Sequence, residues 1–272
     1  MAKVEQPLTQ ISSGGVGATT TVKLDIGRSY HQVFIKHENV TAAEITNIRL
    51  VINGVTAKVW RSGTELNTFN LFKRIPALAD HMVFDFERTG VLAKEVRESS
   101  AIGTGRSAEG SEGVATAHIL FDIAAVIAAA PAVPAISGYT VTSGPQLLGV
   151  IEKVVQYNAA PAAAGAFEVS DIPRASAIVS IAVDMSAVAV NNFELLVNNS
   201  AVINTTPAIV NHRATAGIRT PQADWFIYDT AADGYGGDFI NVANASNVRF
   251  KFDVDGAGQL PFTVTYLAGL RG

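Results

Sequence analysis

The chain has 272 residues, enough for one large domain or two of ordinary size, and its 48% hydrophobic content excludes general disorder. A net charge of −4 gives no basic footprint for nucleic acid, and the absence of cysteine removes disulfides, thiolate chemistry and Cys-based zinc sites together. Charged residues make up only 16% of the chain, and a surface short of charge suits burial against another protein.

Residues 1–19 are polar and Gly-rich, ending near Ser12-Ser13-Gly14-Gly15, and are expected to form a flexible arm. They contain no apolar h-region, so no signal peptide is expected. From Thr20 the pattern is β: Val22, Leu24 and Ile26 alternate with Lys23 and Asp25. Strands are predicted at 30–36, with Val33 and Ile35 on one face, and at 46–53 and 55–60. Asn53-Gly54 between the last two is a hairpin signal, because a type I′ turn needs positive φ at both central residues.

Leu66, Phe69, Leu71 and Phe72 then suit a short helix capped by Ser62 or Thr64 and ended before Pro76. Alternation returns at 82–87, with Phe84 and Phe86 as core candidates and Asp85 and Glu87 on the solvated side. Residues 88–113 are charged and Gly/Ser-rich, a long excursion with one weak strand near 100–105; such loops usually make contacts or carry function. Strands at 114–123 and 135–142 close a first domain, 20–143. The longest apolar run, 123–136, is interrupted by Pro131 and Pro134 and falls short of the roughly 20 residues of a membrane span.

A linker follows at 144–165. Leu147, Leu148, Ile151, Val154 and Val155 fall near helical spacing and point to a helix over 145–157, although Val and Ile also suit an extended segment. The second domain, 166–272, repeats the first. Ile26-Gly27-Arg28, a strand and the run Thr46 to Gly54 recur roughly 145 residues later as Ile172-Pro173-Arg174, a strand and the run Asn191 to Asn199. Strands are predicted at 166–171, 176–183, 190–197, 200–204, 223–229, 237–242, 247–254 and 260–268, with a helical piece at 207–217 and Trp225 and Ile227 facing the core. A self-match of domain size indicates tandem duplication. About eight short strands in each copy indicate two jelly rolls in one all-β chain.

Ile26-Gly27-Arg28-Ser29-Tyr30, the stretch from Val40-Thr41 to Asn53-Gly54, Phe121-Asp122-Ile123 and Asp171-Ile172-Pro173-Arg174 resemble the major capsid proteins of corticoviruses, membrane-containing icosahedral bacterial viruses. They belong to the double jelly-roll lineage shared with tectiviruses and adenoviruses. The resemblance spans nearly the full length in strand order. It implies a homotrimer forming a pseudo-hexagonal capsomer, which tiles an icosahedral shell around an internal lipid membrane. The implied partners are neighbouring capsomers, penton proteins and membrane-associated virion proteins, with no direct nucleic-acid binding. The implied location is the virion shell, with synthesis in the host cytoplasm. The chain's higher alanine content and its 88–113 loop depart from the family, so capsid size and outer decoration do not carry over.

No catalytic constellation is expected. His31, His37, His81, His118 and His212 lack the spacing of a metal pair unless one unbroken strand carries His31 and His37. No G-x-S-x-G elbow is present, and Gly103-Thr104-Gly105-Arg106-Ser107 is neither a P-loop nor a dinucleotide fingerprint. Asp85, Glu87 and Asp122 would have to converge to act as a glycosidase pair. The expected metal site, if any, is calcium at Asp229, Asp233 and Asp238, whose Gly-bearing loop supplies hard oxygens; Asp-Gly turns need no metal to account for them. The alternative to a capsid protein is a carbohydrate-binding or carbohydrate-active double jelly roll, which would be a monomer with an aromatic-lined cleft. A trimeric receptor-binding spike is a third reading, for which duplication of a whole jelly roll is less expected.

Overall fold

A computed structural model describes residues 2–106, 113–170, 172–174, 176–236 and 238–270. Part of the expected 88–113 excursion (107–112, with Ser107) lies outside the described residues, as do Asp171 and Gly237. The chain divides into two compact units, one holding residues 2–89, 94–152 and 269–270 and the other 90–93 and 153–268.

The first unit contains β1 (Val4–Pro7), β2 (Ile11–Ser12), β3 (Thr19–Lys23), β4 (Ser29–Glu38), β5 (Ile45–Ile52), β6 (Val55–Ser62), α1 (Gly63–Phe72) and β7 (His81–Asp85). It continues with α2 (Lys94–Glu98), β8 (Ile102–Gly103), β9 (Ala117–Ile123) and β10 (Ala135–Ser143). One sheet has the order β1-β10-β4-β7 with β8 beside β4; the other has the order β2-β3-β9-β5-β6.

The second unit takes up β11 (Ile151–Ala159) after its first two residues, then β12 (Gly165–Val169), β13 (Ala177–Asp184), β14 (Val190–Val197) and β15 (Ser200–Thr205). It ends with α3 (Pro207–Ala216), β16 (Trp225–Asp229), β17 (Ile240–Asn241), β18 (Val248–Val254) and β19 (Leu260–Ala268). Its sheets are β11-β19-β13-β16, with β17 beside β13, and β12-β18-β14-β15. With the short β2, β8 and β17 set aside, both units follow one plan. The first strand lies beside the last, the last beside the third and the third beside the sixth; the second, seventh, fourth and fifth make the facing sheet. That order is the double Greek key of a jelly roll.

Alternation places the cores. Val33 and Ile35 of β4, with Ile119 and Phe121 of β9, are fully buried in the first roll; Ile181 and Val183 of β13, with Phe250 and Phe252 of β18, are their counterparts. The second core is aromatic: the Phe193 ring lies 5.3 Å from those of Phe226 and Phe252 and 5.6 Å from that of Phe250. Each such pair adds about 0.5–1.5 kcal/mol beyond its buried area. In the first roll the Trp60 and Phe84 rings meet edge-on at 5.6 Å.

The same two-residue hairpin occurs in both rolls. Asn53 and Gly54 have φ of 49° and 78°, and Asn198 and Asn199 have 52° and 65°. Both centres are left-handed, as a type I′ turn requires. The helices are capped as their sequences indicate. Ser62 Oγ accepts from the Glu65 N–H at 3.2 Å, and Thr206 Oγ1 accepts from the Ile209 N–H at 3.5 Å ahead of a proline at the first helical turn.

Three expectations need correction. Residues 1–19 are not a free arm: β1 pairs antiparallel with β10 and β2 with β3. The open edge of β10 satisfies the amides of a polar segment that its own composition would leave solvated. The helix expected over 145–157 is absent; residues 145–150 have no regular structure and β11 is a strand beside β19. Buried residues occur on both faces of β11, which hides the two-residue period, and its β-branched Ile151, Val154 and Val155 favour the strand. In β16 Phe226, with Tyr228 packed beside it, enters the core cluster; Ile227 is buried on the other face and Trp225 is only half-buried. Four large side chains in succession give no alternation from which to read the face.

Candidate functional site

Buried charge concentrates in three places, and the backbone explains the first. Gln32 pairs with Val141 and Tyr30 with Thr142, so His31 is the extra residue of a β-bulge in β4. The bulge turns its ring toward Glu87 at the end of β7. His31 Nδ1 lies 2.7 Å from Glu87 Oε1, and Nε2 lies 2.8 Å from Ser143 Oγ. Lys3, next to β1, bonds Glu87 and lies 3.1 Å from Glu98 Oε1 of α2, while Arg97 Nε lies 3.3 Å from Glu87 Oε2. Burial pushes the Glu87 carboxyl up, but hydrogen bonds from His31 and Lys3 and the Lys3 charge outweigh it and hold the group at about 2. Among the described residues, His31, Glu87 and Glu98 alone bring three candidate ligand atoms within 4.8 Å of one another. The Lys3 ammonium and Arg97 guanidinium already supply the cations there. The arrangement acts as a clasp that ties the N-terminal strand to β7 and α2.

The second place centres on Glu152, at the start of β11. Its carboxylate lies 3.2 Å from Lys73 Nζ, 3.6 Å from Lys58 Nζ and 4.0 Å from Arg88 Nε. Burial alone would raise this carboxyl; the charges of Lys73, Lys58 and Arg88 bring it down to about 2. Lys58, wholly buried and 5.5 Å over the Phe86 ring, is held below its ordinary value by burial, with Glu152 opposing. Asp85 is pushed up by burial while bonded by Thr89 Oγ1. Asp85 and Glu87 are therefore buried, against the expectation of a solvated strand face. Sequence reasoning missed Lys58 and Glu152. The available signal was a lysine between Ala57 and Val59 and a glutamate directly after Ile151, each placed where alternation runs apolar.

In the second roll, Arg219 Nε donates to Asp229 Oδ2 at 2.6 Å, and Asp229 Oδ1 accepts from the Ala231 N–H at 2.9 Å. Asp233 Oδ1 accepts from the Tyr235 N–H at 3.0 Å, and Asp238 is exposed. The three aspartates named for calcium are not among the described groups that bring three ligand atoms together. Asp122 belongs to the other sheet, accepting from Thr19 Oγ1 at 2.6 Å and Asn47 Nδ2 at 2.7 Å. His31 and His37 both lie in β4, whose bulge falls at His31, and they use different partners, His37 Nδ1 donating to Val40 O at 2.7 Å. His81 Nδ1 donates to Ala79 O at 2.6 Å, His118 is half-buried and His212 is exposed.

The matching irregularity in the second roll carries no polar group. Ile178 pairs with Tyr266 and Ser180 with Thr265, leaving Val179 as the bulged residue of β13. The Thr230 N–H donates to Val179 O at 3.0 Å, as the Phe86 N–H donates to His31 O at 2.9 Å. The duplication thus reaches individual backbone bonds, while the clasp belongs to the first roll.

Residues 5–143 match the family model for the viral coat protein P2 N-terminal domain, and residues 151–270 match that for the P2 C-terminal domain. The chain is 25% identical over 194 residues to the major capsid protein P2 of Pseudoalteromonas phage PM2, covering 71% of this chain and 69% of that protein. The crystal structure of P2 from bacteriophage PM2 superposes with a TM-score of 0.86 at 19% identity, covering 98% of each chain. The Sulfolobus turreted icosahedral virus structure gives 0.68 at 12% identity, over 98% of this chain and 91% of that one. A PBCV-1 virus capsid chain gives 0.65 at 11% identity, over 97% and 93%.

Proposed function

The chain belongs to the viral coat protein P2 family and is a structural capsid protein of the virion, and from that premise we propose that it builds the shell as a homotrimer. Three copies of a two-roll chain present six like rolls, and a near-sixfold object fills hexagonal positions of an icosahedral lattice. The observation that carries this reading is the depth of the duplication: the same strand order, hairpin position and bulge occur in both rolls. Such trimers would tile a shell over an internal membrane, meeting neighbouring capsomers, penton proteins and membrane-associated virion proteins, after synthesis in the host cytoplasm. The buried charge clusters fit a part that holds shape: their groups are neutralised by one another. The carbohydrate alternative finds no support, since the chain's likeness is to capsid proteins.

Light scattering on a sizing column tests the trimer. The expected species has three times the 28.6 kDa of one chain. A single-chain mass at every concentration tried would sink it.

A further inference from the structure

We propose that a cleft at one end of the first roll, lined by His37, Asp80, Glu44 and the Ala128-Ala129 stretch, binds a primary alkylammonium group. The inference goes beyond the trimer reading and stands independently of it.

The cleft has a volume of about 460 Å³, in the range of small-molecule sites, and lies between the end of β4, the turn after it, Asp80 and Ala128. Its walls are fixed from within the roll. The His37 N–H donates to Asp80 O at 2.8 Å, and Asn39 Nδ2 donates to Val133 O at 3.0 Å. Glu44 Oε1 accepts from the Ala128 N–H at 2.6 Å. Asn39 and Asp80 are left-handed, with φ of 60° and 56°, a conformation that these two side chains tolerate.

His37 supplies an oriented acceptor. Only 6% of it is exposed, and its Nδ1 donates to Val40 O at 2.7 Å. In the neutral ring that bond leaves the lone pair on Nε2, and among the described residues nothing donates to it. Nε2 is nevertheless reached by solvent, through the cleft that the ring lines. A buried imidazole therefore presents one unused acceptor to the cleft.

The charges favour a cation. His37 apart, no lining residue is basic. Glu38 is bonded by the neighbouring Lys36, whereas the Asp80 carboxylate makes no hydrogen bond or ion pair among the described residues. Glu44 is held below its ordinary value by the Thr41 and Ala128 amides, neutral donors that leave its charge standing. The cation is organic for two reasons. These residues are not among the described groups that bring three ligand atoms within 4.8 Å, so they do not enclose a single ion. Val40, Ala128 and Ala129 give an apolar wall for methylenes, while a charged head stays among the acceptors. An ammonium has three donors and no acceptor, which matches an acceptor nitrogen flanked by carboxylates.

Calorimetric titration of the full chain with cadaverine tests the site, with the uncharged diol analogue as comparison. Cadaverine should bind, and the diol should bind roughly tenfold or more weakly. Asp80→Asn keeps a residue at home in the left-handed region and should weaken cadaverine roughly tenfold. Glu95→Gln, exposed on α2, should bind as the parent does. Nitrogen NMR of the parent's histidine rings reads the contact without any substitution: cadaverine should move His37 Nε2 upfield and leave the exposed His212 in place. A lysine blocked at both ends identifies the source. Tighter binding than cadaverine's assigns the cleft to a lysine side chain of a partner protein, and weaker binding assigns it to a free diamine; either supports the site. Equal binding of amine and diol, an unmoved His37 signal, or parental affinity in Asp80→Asn overturns the proposal. A His37 signal moved by zinc but not by cadaverine overturns it in favour of a metal.

Discussion

Replacing Glu152 by Gln removes a charge at nearly constant volume and leaves Lys58, Lys73 and Arg88 around a neutral amide. The carboxyl sits at about 2 in the folded chain against its ordinary 4.5, which corresponds to about 3 kcal/mol of stability. Stranding the other half of a buried ion pair costs a similar amount, about 3–5 kcal/mol. For a unit of this size 1 kcal/mol moves the melting midpoint by about 2–4 °C, so the first roll should melt roughly 6–12 °C lower. Scanning calorimetry near neutral pH reads this directly. The sign with pH follows from a depressed carboxyl: its contribution is complete above 4.5 and is lost as pH falls through about 2. Parent and Glu152→Gln should therefore converge across that window. Adding Lys58→Met should recover part of the loss, because Lys58 is the cation that burial most disfavours. A variant melting within about 2 °C of the parent would show that Glu152 does not organise the cluster.

Lys3→Ala should open the clasp without unfolding the roll. Amide exchange over Val4–Pro7 should speed by roughly tenfold or more while the global melt barely moves, and unchanged exchange would mean that pairing with β10 alone holds β1. Asp229→Asn should cost the second roll about 3 kcal/mol, since Arg219 is buried against that carboxylate; a calorimetric shift near zero would argue against the pair. With both Asp229 oxygens already bonded, adding calcium or chelator should leave the solution mass unchanged. A mass lost on chelation would bring Asp229, Asp233 and Asp238 back as an ion site.

What could be read from the sequence was what local chemistry fixes. Asn53-Gly54 and Asn198-Asn199 are turns in any context that allows positive φ, and Ser62 and Thr206 announce their helices. The tandem copies and the strand count followed from that punctuation. What stayed hidden depends on partners distant in the chain. Nothing near His31 or Val179 marks an extra residue, because a bulge exists only relative to the opposite strand. The Glu152 and Glu87 clusters gather cations from separate strands and helices, so no spacing rule reaches them. The N-terminal strand and β11 were misread for the same reason: each owes its conformation to a neighbour's edge.

The division of the chain carries a consequence for its synthesis. Residues 90–93, emitted among the strands of the first roll, count with the second unit, where the Leu92 N–H donates to Gly234 O at 3.1 Å. Conversely, Leu270 packs against the first core although the ribosome delivers it after every strand of the second roll. The first roll therefore cannot be completed until every strand of the second has been translated, whereas the second draws only on residues already made. The copy that begins first is the last to receive all of its residues.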